Sequence, residues 1–112
     1  MEGKFVSDYI VITGANFDAE VLQSPTPVLL DFWAAWCGPC RMLGPMVEQL
    51  ATEYSGRLKV GKVNVDEEAD LSSRHSVVSI PTLVVYKEGK IVNQAVGAIP
   101  KQNIEALFKE II

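Results

Sequence analysis

Apolar residues recur along this chain in two rhythms. Val28-Leu29-Leu30-Asp31-Phe32-Trp33 is apolar on both alternating faces apart from one carboxylate, the pattern of a strand buried between two layers. Leu58 to Val65 reads as a second buried strand, and Tyr9 to Thr13 as a short β-rich stretch. Between the two buried strands, Leu43, Met46, Val47, Leu50, Ala51 and Tyr54 recur at helical spacing, predicting an amphipathic helix that closes near Ser55-Gly56. Asn16 to Leu22 fits a short helix with Asn16 as its N-cap, and Asp66 to Ser76 carries another. Thr82 to Tyr86 and Ile91 to Val96 flank the turn Lys87-Glu88-Gly89-Lys90, a hairpin signal. Pro100 then opens a last helix whose apolar stripe is Ile104, Leu107, Phe108 and Ile111. Strands followed by helices, then a hairpin and a helix, predict an α/β fold with a mixed sheet covered on both faces.

Composition narrows the function classes. A chain of 112 residues, 48% hydrophobic and 21% charged, is expected to form one domain over 1–112 with a single core. The net charge is −4 and no Lys/Arg cluster stands out, which argues against a nucleic-acid or anionic-membrane partner. No apolar run approaches the roughly 18 residues of a membrane span. Met1 to Ile10 carries Glu2, Lys4 and Asp8 without a continuous apolar block, so it does not read as a secretory signal, and a cytoplasmic location is expected.

The chemistry is concentrated in two cysteines, Cys37 and Cys40, the only ones in the chain. A structural disulfide this short would close almost no loop and constrain the unfolded chain very little. A pair that opens and closes is therefore expected. It falls where the strand ending near Ala34 meets the start of the long helix. Free backbone N–H groups and the positive end of the helix dipole favour an anion there, here the Cys37 thiolate. Cys40 lies one turn further on the same side, so the two sulfurs can meet without unwinding the helix. Pro39 is tolerated in the first turn, and Pro45 removes the bond to the Arg41 carbonyl and is expected to kink the helix.

Asp31 is the second anomaly. An unpaired carboxylate in an otherwise apolar strand is costly, so it should carry a raised pKa, a partner, or both. Lys62 shares a strand face with Leu58 and Val60 and is the natural partner. The plainer alternative is that Asp31 points to water at a strand end. Met42 and Met46 read as core packing, Trp33 as core and support for the cysteine loop, and Glu67-Glu68 with Asp70 as a solvated helix start. The single histidine, His75, together with two cysteines falls short of a structural zinc set, so no metal is expected.

Asp31-Phe32-Trp33-Ala34-Ala35-Trp36-Cys37-Gly38-Pro39-Cys40 resembles the active-site signature of the thioredoxin family, and Ile80-Pro81-Thr82 its second signature. Lys62, Gly89 and Val96-Gly97-Ala98 also fall at matching places. The resemblance runs from about Ile10 to the C-terminus. It implies a central five-stranded mixed sheet flanked by four helices. It further implies a protein-disulfide reductase, with Cys37 as nucleophile, Cys40 as resolving thiol, Asp31 with Lys62 as buried acid/base, and Pro81 as a cis-proline. Trp36, Gly38, Pro39, Ser76, Ile80, Val96, Gly97 and Ala98 would form the contact surface, Ile80 through its backbone. No bound cofactor is implied beyond the Cys37–Cys40 disulfide. Electrons would come from NADPH through a flavin-containing thioredoxin reductase, and the partners would be that reductase and disulfide-containing proteins, with the chain a monomer. Ala35, Arg41, Ser76 and Ser79 depart mildly from residues common in the family.

Two other readings use the same residues. One is a disulfide oxidant or isomerase, against which the Gly38-Pro39 dipeptide and the lack of an export signal argue. The other is a binding subunit in which the redox pair is incidental, a poor fit to a sequence with both cysteines and the Asp31/Lys62 pair in place.

Overall fold

The uninterrupted apolar strand anticipated at 28–33 is the centre of the molecule. A computed structural model describes residues 8–112. Residues 1–7, which carry most of the stretch weighed as a secretory signal, lie outside the described residues. The elements are β1 (Tyr9–Val11), a π-type helical turn (Asp18–Leu22), β2 (Val28–Trp33), α1 (Gly38–Glu53), β3 (Lys59–Asn64), α2 (Ala69–Arg74), β4 (Thr82–Lys87), β5 (Lys90–Val96) and α3 (Lys101–Ala106), followed by a 3-10 turn at Lys109–Ile111. The strands form a five-stranded mixed sheet in the order β1-β3-β2-β4-β5, flanked by the π-type turn, α1, α2 and α3, the arrangement that the resemblance implies. β1 and β2 run parallel to β3, whereas β2–β4 and β4–β5 are antiparallel. The parallel crossovers supply helices to both faces, so β2 is buried on both sides, as its continuous apolar pattern requires.

Alternation along β2 sorts the core into two layers. Val28, Leu30 and Phe32 pack with Phe17, Val21, Leu71, Val84 and Tyr86, beneath the π-type turn and α2. Leu29 packs on the other face with Leu43, Val47, Leu50, Val60, Leu83, Ile104 and Phe108, beneath α1 and α3. Asp31 has the parity of Leu29, and Lys62 that of Val60. Both therefore belong to the α1 face, and the two stand opposite each other in the β2–β3 register. Asp31 is 1% exposed, which rules out the alternative of a carboxylate pointing to water.

Element boundaries differ from the sequence expectation in instructive ways. The Asn16 side chain does not cap the following helix. It accepts the Thr13 N–H at 2.8 Å and donates to the Val11 carbonyl at 3.0 Å, tying the end of β1 into a turn ahead of the π-type helical segment Asp18–Leu22. By contrast α1 runs through Pro45 to Glu53 as its apolar stripe predicts, packed on both sides of that residue. The hairpin turn tightens to Glu88 and Gly89, both at positive φ, 53° and 79°. Among the described residues no helix is long and apolar enough to cross a membrane.

Candidate active site

Cys37 occupies the N-cap of α1 in extended backbone, and its Sγ accepts the Cys40 N–H at 3.2 Å. This satisfies one of the backbone donors that a helix start leaves free. Cys40 is one turn in, and the two sulfurs form a disulfide. Both residues are almost fully buried, 5% and 4% exposed, in a small cluster with Ala34, Trp33, Val65 and Ile80. Exposure therefore does not distinguish the two thiols. In the disulfide form the two thiols differ instead in what they face. Cys37 Sγ lies 3.8 Å from the Ile80 carbonyl oxygen, on the side of the segment leading into Pro81. Cys40 lines a cleft of ≈ 610 Å³ on the opposite side, with Trp33, Gly44, Glu48, Lys62 and Tyr9.

The Ile80–Pro81 bond is cis. Ile80 is half-buried and Pro81 buried, and the Pro81 carbonyl accepts the Gly97 N–H at 2.8 Å, which draws Val96-Gly97-Ala98 alongside. Gly97 has φ +102°, a backbone state that a side chain would strain. Ser76, at φ 55°, and Val96 flank a groove of ≈ 380 Å³ shared with Val78. Trp36 is 68% exposed, with its indole N–H fixed to Asp66 Oδ2 at 2.9 Å, and Gly38 and Pro39 are exposed on the first turn of α1. Sequence reasoning missed Val78, which is 94% exposed and lines the groove beside Ser76, and misplaced Met42, which is 73% exposed and so is not core. It stands one position outside the buried stripe Leu43–Val47–Leu50, a signal that was available in the spacing. Met46 packs against the core as expected.

The buried charges are arranged differently from a simple pair. Neither Asp31 carboxylate oxygen has a hydrogen-bond partner. The Lys62 ammonium is bonded to Glu48 Oε2 at 2.9 Å and lies near the rings of Tyr9 and Trp33, 5.1 and 5.3 Å from their centroids. Lys62 thus acts on Asp31 through its field rather than through an ion pair, because α1 presents a better-placed carboxylate. Burial pushes the Asp31 pKa up to about 6; the Lys62 charge pulls against this and Glu48 adds to it. Among the described residues no three His, Cys, Asp or Glu side chains converge as a metal set. His75 is engaged elsewhere, between the Leu71 carbonyl and the Tyr86 hydroxyl.

Comparison with known proteins converges on the same reading. A protein-family model described as Thioredoxin matches residues 8–110. The chain is 48% identical over 102 residues to "Thioredoxin" of Chlorobaculum thiosulfatiphilum, covering 91% of this chain and 94% of that protein. It is 47% identical over 110 residues to "Thioredoxin 2" of Chlorobaculum tepidum, covering 98% and 97%. Against "Thioredoxin 1" of Synechococcus elongatus the identity is 50% over 93 residues, covering 83% and 87%.

Proposed function

The chain belongs to the thioredoxin family, and from that premise we propose how its residues divide the work. It is a thiol-disulfide oxidoreductase, a protein-disulfide reductase that needs no bound cofactor and carries its electrons in Cys37 and Cys40. The observation that carries the division of labour is the position of the pair: Cys37 caps α1 beside the Ile80–Pro81 segment, while Cys40 faces the Lys62 cleft.

In the reduced protein the Cys37 thiolate attacks one sulfur of a target disulfide. A Cys37–target disulfide forms, and the other target sulfur leaves and is protonated. Cys40 then loses its proton, attacks Cys37 Sγ and closes the Cys37–Cys40 disulfide, expelling the second target sulfur. Two electrons and two protons have passed to the target. Asp31 is the base for the second step: a carboxyl poised near pH 6 holds and releases a proton close to neutrality, where general acid–base catalysis is most effective. Trp36, Gly38, Pro39, Ser76, Val96 and Ala98, with Met42 and Val78, form the apolar surface around Cys37. Ile80 offers main-chain groups to an extended target segment. Recharging would draw on NADPH through a thioredoxin reductase, with the domain acting in the cytoplasm as a single 1–112 unit.

The deciding experiment is the equilibrium potential of the Cys37–Cys40 couple against a dithiol buffer, together with NADPH-coupled turnover by a thioredoxin reductase on a disulfide-bonded protein. Turnover and a strongly reducing couple are expected. A potential near or above that of disulfide isomerases, about −180 mV, would overturn the assignment as a reductase.

A further inference from the structure

One turn of α1 separates Cys40 from Gly44, and another separates Gly44 from Glu48. The three share one stripe of the helix, and all three line the cleft that also holds Lys62. A Cβ built on Gly44 would stand 3.6 Å from Lys62 Nζ. The ammonium therefore lies over Gly44, midway along a stripe with the resolving cysteine at one end and a carboxylate at the other. It is bonded to the carboxylate end, Glu48 Oε2, at 2.9 Å. Lys62 is 12% exposed in its side chain and Glu48 45%, so the pair is anchored at the cleft rather than free in solvent.

We propose that Glu48 is a positioning residue for the resolving step. By holding the Lys62 ammonium over Gly44, it sets how readily Asp31 takes up and releases the Cys40 proton. The inference rests on the reading of Asp31 as the base for Cys40. Other groups around Asp31 leave this division intact. From β3 the facing charge is Lys62, from α1 it is Glu48, and from β4 the register partner is the apolar Leu83. Arg41 and Glu67 line the cleft at its rim, and the Arg41 guanidinium is directed outward onto the Ala35 carbonyl at 2.8 Å. Removing the Glu48 charge has two consequences of the same sign. It deletes a negative charge facing Asp31, and it frees Lys62 to approach the unpartnered carboxylate; both favour the ionised form of Asp31.

The test compares the parent with Glu48→Gln, Asp31→Asn, the double variant and Glu53→Gln. The last breaks the Lys101–Glu53 bridge further along the same helix, outside the cleft. Two quantities are read: the Asp31 carboxyl titration by NMR in the oxidised protein, and the pH profile of mixed-disulfide resolution. Glu48→Gln is expected to move both midpoints to lower pH by about one pH unit, while Glu53→Gln leaves them in place. In the Asp31→Asn background, Glu48→Gln should change nothing further. Midpoints unmoved or raised in Glu48→Gln, with Asp31→Asn still abolishing the titration of the resolving step, would overturn this inference alone. A pH profile untouched by Asp31→Asn would overturn the reading of Asp31 on which it rests.

Discussion

Asp31 and Lys62 face each other across the parallel β2–β3 register, yet both oxygens of the carboxylate lack a hydrogen-bond partner and the ammonium is held by Glu48. The sheet brings the charges near each other without joining them. This leaves Asp31 at an energetic cost once it ionises. Its folded pKa, about 6, lies above the unfolded value of 3.8. The folded state therefore holds the proton more tightly, and the associated stability is full below about pH 4 and is lost as pH rises through about 6. At ~1.4 kcal/mol per pH unit the loss is about 3 kcal/mol. Asp31→Asn is expected to remove this decline, so that variant and parent diverge in favour of the variant between pH 4 and 7.5 in urea unfolding of the oxidised protein. Parallel profiles would contradict the buried, unpaired carboxylate.

His75 contributes with the opposite sign. Its Nδ1 lies 2.7 Å from the Leu71 carbonyl and its Nε2 2.6 Å from the Tyr86 hydroxyl, and its ring contacts Phe17 and Phe32. Burial holds its pKa below the usual 6.5, and the Leu71 bond only partly counters that. The neutral ring donates from Nδ1 and accepts from Tyr86. A depressed folded pKa means stability that is full above 6.5 and is lost as pH falls below it. Relative to His75→Phe, the parent should therefore gain stability as pH rises from 5 to 7. Because His75 immediately precedes Ser76, the same protonation should register in the NMR shifts of Ser76 to Ile80. A pH-independent difference between the two proteins would refute the assignment.

How much of this was legible in the residues follows from how locally each feature is determined. β2 and the stripe Leu43–Val47–Leu50 were readable because continuous burial and helical periodicity are written into consecutive residues. The placement of Cys37 at a helix start followed from them. Lys62 was recognised as a neighbour of Asp31 from strand parity, but its true bond is to Glu48 on a helix packed across the sheet. Only the Cys40–Gly44–Glu48 spacing hinted at that. The His75–Tyr86 contact joins a helix end to a strand through two aromatic neighbours, and no periodicity announces it. The cis bond before Pro81 came from family resemblance, since local preference favours trans.

Two glycines facing the sheet and helix should respond oppositely to alanine. A Cβ at Gly61 would stand 2.6 Å from Ile12 Cγ1 and 3.0 Å from Leu30 Cδ2, inside a fully buried layer. β3 can accept it only by displacing the Ile12 side chain just after β1 or Leu30 of β2, a cost of about 1–3 kcal/mol. At Gly44 the nearest atom would be Lys62 Nζ, in ordinary contact at 3.6 Å, and alanine is the better helix former by about 1 kcal/mol. Thermal unfolding should therefore show Gly61→Ala clearly destabilised and Gly44→Ala unchanged or more stable. Equal effects would mean that the β1–β3–β2 layer is looser than the packing implies.

Which cysteine attacks cannot be decided from exposure, since the two differ by only 1%. Position supports the proposed roles: Cys37 Sγ accepts the Cys40 N–H and adjoins the Ile80 carbonyl, whereas Cys40 faces the inner cleft. Lowering a thiol pKa from about 8.5 to near neutrality gives roughly fifteenfold more thiolate at pH 7. About fivefold of that is lost to reduced nucleophilicity. A few-fold net gain is too small to account for efficient reduction. The larger contribution must come from Cys40 held beside the mixed disulfide at high effective concentration. Cys40→Ser should therefore keep the first attack and accumulate disulfide-linked adducts with target proteins, visible as reductant-sensitive bands on gels, while Cys37→Ser accumulates none. Adducts predominating in Cys37→Ser would reverse the roles assigned to the two thiols.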